Sequence, residues 1–213
     1  MMQYTRVDLR MSRNEGIKLV ICGVGGQGIM LISRAIMGAA LMAGFKISGS
    51  EIHGHAVRGG SAHAIVTYGK NAGSPLIRTG DADVLIGMEM LEAARMIRYL
   101  KRGGVALVSK LKVVPINSML RNDRYPSEDE VAQIFSRRTD KFFLLDVEKA
   151  AERFGGKRLS NSVLYGAFSV AIDNGIDMKS FEMALLENVP KGTEEANLAA
   201  FREGRRLIMS YDV

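Results

Sequence analysis

"IKLVICGVGGQGIML", residues 17–31, is an apolar run that breaks into glycines and then turns apolar again. The run 17–23 predicts a short buried strand. Gly23, Gly25 and Gly28 then follow the Gly-x-Gly-x-x-Gly spacing of a strand-to-helix turn. Glycines are needed at such a turn so that backbone N–H groups can approach an anion at the helix N-terminus, or so that strand and helix can pack closely. Residues 28–43 are long enough for the helix, with only Ser33 and Arg34 clearly polar. A helix apolar on nearly all sides has to be covered on nearly all sides. The sheet supplies part of that cover, and a further body such as a second subunit would supply the rest.

Working outward, "FKISGSE" (45–51), "SAHAIVTYG" (61–69), "DADVLIGME" (81–89), "GVALVSK" (104–110) and "KFFLLD" (141–146) read as strands. Helices are predicted for 91–100, after Pro126, for 146–155, 160–173, 178–188 and 192–210. Ser127 and Glu130 form the sequence signature of a capping box. Gly166 falls inside a helical stretch, where it costs up to about 1 kcal/mol relative to alanine, so close helix packing is expected around it. Strand alternating with helix gives an α/β, Rossmann-like domain with a largely parallel sheet and a helical C-terminal third. The expected division is a flexible leader at 1–15, with Met11 an alternative start to Met1, and a single domain at 16–213 whose part 160–211 is helical.

The chain has 213 residues, 47% hydrophobic and 24% charged, which is ordinary for one globular domain. No apolar run reaches the length of a membrane span without a charge or a glycine cluster, so no membrane partner is expected. One cysteine, Cys22, excludes internal disulfides and is compatible with the cytoplasm. It also excludes an iron–sulfur cluster held by this chain alone, which would need several thiolates. Part of the net charge of +6 lies in Arg95, Arg98, Lys101, Arg102, Lys110 and Lys112. These residues suit a solvated face, an acidic partner or a phosphate-bearing ligand. Aromatic residues are only 7% and do not interleave with the cations, which argues against nucleic acid.

The glycine turn meets only part of the dinucleotide fingerprint. A ribose-binding acid belongs about 20 residues on, and the nearest, Glu51, is late and already inside another loop. The alternative phosphate loop fails, because Ile29 and Met30 stand where it needs Lys and Ser or Thr. NAD or FAD, another anionic ligand, and a purely structural or interface turn all stay open for Gly25, Gly26, Gln27 and Gly28. A second candidate is "SEIHGHAVRGGSAH" (50–63), which holds all three histidines. Glu51, His53 and His55 are possible zinc ligands, but their spacing around Gly54 matches no standard helical metal motif. A histidine beside a carboxylate suits a general base, yet no nucleophile accompanies it. The reading preferred for Arg58, Gly59, Gly60 and Ser61 is a glycine-bent backbone that presents an arginine to an anion or to a partner's active site.

Taken together, "GVGGQG", "SEIHGHAVRGGSAHAIV", "SPLI…GDADVLIGMEMLEA" and "YLKRGGVALVS" resemble the small domain of the 2-oxoacid:ferredoxin oxidoreductases over roughly 17–208. This is the gamma subunit of the four-subunit enzymes and the beta subunit of the two-subunit indolepyruvate enzymes. "NSVLYGAFSVAIDNGI" and "VPKGTEEANLAAFREGR" resemble the indolepyruvate beta subunit in particular. Where the family commonly has Met-Ala-Gln-Arg, this chain has His55, Ala56, Val57 and Arg58. The resemblance implies a complex that oxidatively decarboxylates a 2-oxoacid to an acyl-CoA, with CoA as co-substrate and electrons passing to ferredoxin. Thiamine diphosphate, magnesium and the iron–sulfur clusters are then expected on a partner subunit, since this chain lacks both the cysteines and the Gly-Asp-Gly…Asn pattern. A homodimer, or a homodimer of heterodimers, is compatible with the family. The rival readings are a stand-alone NAD(P)-binding dehydrogenase and a non-enzymatic adaptor.

Overall fold

A computed structural model describes residues 16–53, 60–70, 72–114 and 124–211. The opening stretch folds as read: β1 (Ile17–Val24) leads through the glycine turn into α1 (Ile29–Met42). Then come β2 (Lys46–His53), β3 (Ser61–Gly69) and β4 (Ala82–Gly87). After them follow α2 (Met90–Met96), β5 (Leu100–Ser109), α3 (Glu128–Ser136) and β6 (Phe142–Leu145). The chain ends in α4 (Val147–Glu152), α5 (Ser160–Ala171), α6 (Met178–Asn188) and α7 (Glu194–Ser210). The capping box of α3 is present in full. Glu130 N donates to Ser127 Oγ at 3.2 Å, and Ser127 N donates to Glu130 Oε2 at 2.8 Å.

Expected boundaries move at several points: β2 runs on to His53, so Glu51 lies in the strand and not in a loop, and the largest shift follows β4. The predicted helix 91–100 ends at Met96 and closes in a 3-10 turn, Ile97–Tyr99, and β5 begins at Leu100 rather than 104. Leu100 is buried and pairs with Ala82 across a bulge, which pulls the chain out of the helix. The basic pair Lys101–Arg102, which falls between the predicted helix and strand, therefore lies on the irregular start of a strand.

The sheet order is β2-β3-β1-β4-β5-β6. Strands β1, β4, β5 and β6 run parallel, while β3 pairs antiparallel with both β1 and β2. The sheet is thus largely parallel with β3 reversed. Alternate residues of β1 feed opposite layers, as a strand buried on both faces requires. Ile17, Leu19 and Ile21 join the larger core with α1, α5, α6 and α7. Cys22 joins the smaller one with Met90, Ala93, Val131 and Phe135 of α2 and α3.

The C-terminal helices form the cover that α1 needs, so a second subunit is not required for most of its surface. Tyr165 of α5 is fully buried, and its hydroxyl lies 3.1 Å from the carbonyl of Ala35 in α1 and 3.2 Å from that of Phe181 in α6. Its ring packs on those of Phe181 and Phe201 at centroid distances of 5.4 and 5.5 Å. Arg34 is exposed midway along α1, and the helix's exposed large apolar residues, Leu41 and Met42, lie at its end. The packing expected around Gly166 is extreme. A Cβ there would stand 1.9 Å from the Phe201 carbonyl oxygen, and one at Gly204 would stand 1.9 Å from that of Val163. Helices α5 and α7 therefore cross backbone to backbone. Among the described residues no helix is long and apolar enough to cross a membrane.

Candidate functional site

Helix α1 leaves the carboxyl end of β1 toward one face of the sheet, and α2 leaves the adjacent parallel strand β4 toward the other. Open α/β sheets bind ligands in the crevice at such a switch point. The glycine turn forms one wall. Gly28 has φ 84°, a left-handed conformation that suits glycine, and α1 starts there with no side-chain cap and no acid in its first turn. Gln27 Oε1 accepts a hydrogen bond from Val24 N at 2.7 Å and lies where a Cβ on Gly23 would be. Gln27 Nε2 is buried and has no partner among the described residues. Asn161, from the start of α5, closes over Gly28 so tightly that a Cβ there would be 2.2 Å from its Nδ2.

The antiparallel β1–β3 pairing brings Gly60 and Ser61 to this wall. Ser61, at the start of β3, is opposite Val24, the last residue of β1. The Gly25 N–H donates to the Gly60 carbonyl at 2.7 Å. The two glycine-containing segments that looked separate in sequence are thus joined by a backbone bond.

The first turn of α2 forms the other wall, and it carries two buried carboxylates. Glu89 is 1% exposed and Glu92 is 3% exposed. Glu92 N donates to Glu89 Oε2 at 2.8 Å, Val113 N donates to Glu89 Oε1 at 3.2 Å, and the Tyr125 hydroxyl donates to the same oxygen. Burial and the bond to Glu89 raise the Tyr125 pKa, so Tyr125 stays a donor. Glu92 accepts from Ser61 Oγ at 2.5 Å and from the Arg95 guanidinium. Beneath them Cys22 is fully buried; burial first, then the nearby Glu92 and Glu89 charges, push its thiol up. A thiol held protonated in this way is neither a nucleophile nor a metal ligand.

Of the expected site residues, the structure brings together Gly25, Gly26, Gln27, Gly28, Gly60 and Ser61. Arg58 and Gly59 lie outside the described residues, as does His55, while His53 is placed only as the backbone end of β2. Glu51 sits apart, on β2 facing α1, where Ser33 Oγ donates to its Oε1 at 3.1 Å. Because β3 intervenes between β1 and β2, Glu51 is two strand spacings, roughly 10 Å, from the glycine turn's strand. That placement is wrong for a ribose-binding acid, whose strand should adjoin β1. The cavity beside Glu51 is about 260 Å³, below the usual size of a ligand pocket. Among the described residues no group of three His, Cys, Asp or Glu side chains is arranged to hold a metal ion.

Glu89, Glu92 and Tyr125 were missed by the sequence reading. The available signal was the pair of acids three residues apart at a strand-to-helix junction, "GMEMLEA" (87–93), where helix N-termini favour negative charge. Tyr125 had no local signal.

The family described as "Pyruvate ferredoxin/flavodoxin oxidoreductase" matches residues 18–207. The indolepyruvate oxidoreductase subunit IorB of Thermococcus kodakarensis is 34% identical over 187 residues, covering 87% of this chain and 93% of that protein. The 2-oxoglutarate synthase subunit KorC of Methanothermobacter thermautotrophicus is 31% identical over 192 residues, covering 89% of this chain and 93% of that protein. The gamma subunit of a keto/oxoacid ferredoxin oxidoreductase from Geobacter sulfurreducens superposes with a TM-score of 0.66 at 24% identity, covering 91% of this chain and 99% of that one.

Proposed function

The chain belongs to the pyruvate ferredoxin/flavodoxin oxidoreductase family, and from that premise we propose that it is the small, gamma-type subunit of a 2-oxoacid:ferredoxin oxidoreductase. The indolepyruvate class is favoured over the 2-oxoglutarate class by the higher identity to the indolepyruvate relative. The complex would oxidise a 2-oxoacid with CoA to an acyl-CoA and carbon dioxide, handing two electrons, one at a time, to ferredoxin. Thiamine diphosphate with its magnesium supplies the carbanion chemistry when bound, and iron–sulfur clusters carry the electrons. Neither group fits this chain: its one cysteine is buried with a raised pKa, so no thiolate set exists for a cluster, and the sequence lacks the Gly-Asp-Gly…Asn pattern that would hold the magnesium. Both are assigned to a partner subunit.

The observation that carries the role of this chain is the Gly25–Gly60 bond at 2.7 Å, which fuses the glycine turn and the stem of the arginine loop into one edge at the switch point. The buried Gln27 Nε2 on that edge supports the same reading, since a buried donor calls for an acceptor and the described residues supply none. The positive pole of α1 faces the crevice with no acid of its own, which suits an anion such as a CoA phosphate. In this reading Arg58 reaches the partner's active site or its CoA approach.

The test is co-expression with a thiamine- and cluster-bearing subunit, followed by viologen-dye reduction with indolepyruvate or another 2-oxoacid and CoA. Arg58→Ala should leave the chain folded and lower activity or CoA affinity by about 1.5–3 kcal/mol, roughly ten- to a hundredfold. Full activity from the partner subunit alone would remove the helper role and leave an adaptor. An unaltered Arg58→Ala complex would remove the loop from the site.

A further inference from the structure

We propose that the first turn of α2 is a positioning device for the partner-facing edge: Glu92, through Ser61, holds the arginine loop's stem against the glycine turn. Glu89 ties Val113 and Tyr125 to the same helix turn. The proposal rests on the functional reading above for what the edge does, but not for how it is held.

Two buried carboxylates are costly unless their oxygens are satisfied. Helix capping alone does not explain them. Short side chains are preferred at an N-cap, yet Glu89 occupies that position. Its extra reach is spent on Val113 and Tyr125, which lie outside the helix. Glu92 sits three residues on, where a capping box would turn its carboxylate back to the N-cap N–H. The same chain shows that arrangement at Ser127 and Glu130, with Glu130 at the surface. Glu92 instead gives one oxygen to Arg95 and the other to Ser61, 31 residues away in sequence. The contact with Ser61, at 2.5 Å, has the length of a charge-assisted bond. From Ser61 the connection continues through the adjoining Gly60 carbonyl to Gly25 N. Two hydrogen bonds therefore link the N-terminus of α2 to the turn at the N-terminus of α1, across the crevice.

The experiment has two arms. In the isolated chain, amide hydrogen exchange at Gly25 is compared for wild type, Ser61→Ala, Glu92→Gln and the double variant. Exchange should accelerate by roughly tenfold or more in each single variant, the worth of one charge-assisted bond. The double variant should be no faster than the worse single, and Ser61→Thr, which keeps the hydroxyl, should restore protection. Tyr125→Phe should loosen Val113 and spare Gly25. Ser61 is exposed, so Ser61→Ala carries the test if Glu92→Gln does not fold. Unchanged Gly25 protection in Ser61→Ala overturns the proposal. In the reconstituted complex, Ser61→Ala should raise the KM for CoA roughly tenfold with kcat changed less than about threefold. An inactive wild-type complex would count against the function while leaving the exchange result standing. An active complex with loosened Gly25 and unchanged kinetics would show that the link does not serve the reaction, and would overturn its positioning role.

Discussion

Gly166→Ala and Gly38→Ala should change stability in opposite directions, although both replace a glycine inside a helix. The intrinsic preference is the same in each case, with alanine favoured by up to about 1 kcal/mol. What differs is the space. At Gly38 the new methyl meets the Ala184 methyl at 3.4 Å, an ordinary contact between α1 and α6. At Gly166 it meets the Phe201 carbonyl oxygen at 1.9 Å, with the carbonyl carbon at 2.7 Å. Both atoms are backbone of α7, so no side-chain rotation relieves the clash, and the helices must separate by an ångström or more, as an ordinary contact near 3.5 Å demands. That separation opens the contacts among Tyr165, Phe181 and Phe201. The upper end of overpacking penalties, about 3 kcal/mol, applies. Less the gain in propensity, Gly166→Ala should lose about 2 kcal/mol, or roughly 4–8 °C in Tm for a chain of this length. Gly38→Ala should hold or gain up to about 1 kcal/mol. Urea titration and thermal melting followed by circular dichroism measure both. If Gly166→Ala melts at or above wild type, the backbone-to-backbone crossing of α5 and α7 is wrong.

Gly28→Ala should cost about 1–2 kcal/mol from the left-handed conformation alone, with a further penalty from Asn161. In an Asn161→Ala background the penalty from contact should vanish and the conformational part remain; full recovery in urea titrations would contradict the assigned φ. The carboxyls of Asp177 and Asp81 are held below their ordinary range, the first mainly by hydrogen bonds from Ser180 and the second mainly by Lys18. The folded state therefore releases their protons more readily than the unfolded state does. Their contribution is present above about pH 4 and is lost as pH falls through the lowered folded values. Stability measured by urea titration should fall from pH 5 toward pH 3. Asp177→Asn, which keeps a capping oxygen, should flatten that slope, and an unchanged slope would sink the assignment.

The fold was legible where a local rule decides it. The strand–glycine–helix opening and the capping box at Ser127 and Glu130 follow from residues within a few positions of one another, and a single mid-helix glycine, Gly166, was enough to mark close packing without naming its partner. Strand partners were not legible in this way, because alternation in 61–69 marks a strand without giving its direction. Only seven residues, 54–60, separate β2 from β3. A parallel crossover needs a dozen or more, so the reversal of β3 was implied by loop length. Loop length gives the direction of β3 but not its place; it is the separate pairing of β3 with β1 that puts a strand between Glu51 and the glycine turn.

The candidate site was only half visible because its second half is assembled by contacts between residues far apart in the chain. The sequence marks Gly23 to Gly28 and the arginine loop through their glycines, since backbone approach leaves a compositional trace. It does not mark Glu89, Glu92 and Tyr125, since a buried acid's value depends on donors that arrive from 31 and 36 residues away. The two halves differ in electrical character as well as in legibility. The α1 wall has an uncapped positive pole, while the α2 wall has two carboxylates already satisfied by protein donors. An anion entering the crevice is therefore attracted by the first wall and gains nothing from the second. The role left to the α2 wall is to hold its neighbours in place. A crevice divided in this way presents one charged edge outward and anchors it from behind, an arrangement suited to a subunit that lends its edge to chemistry housed elsewhere.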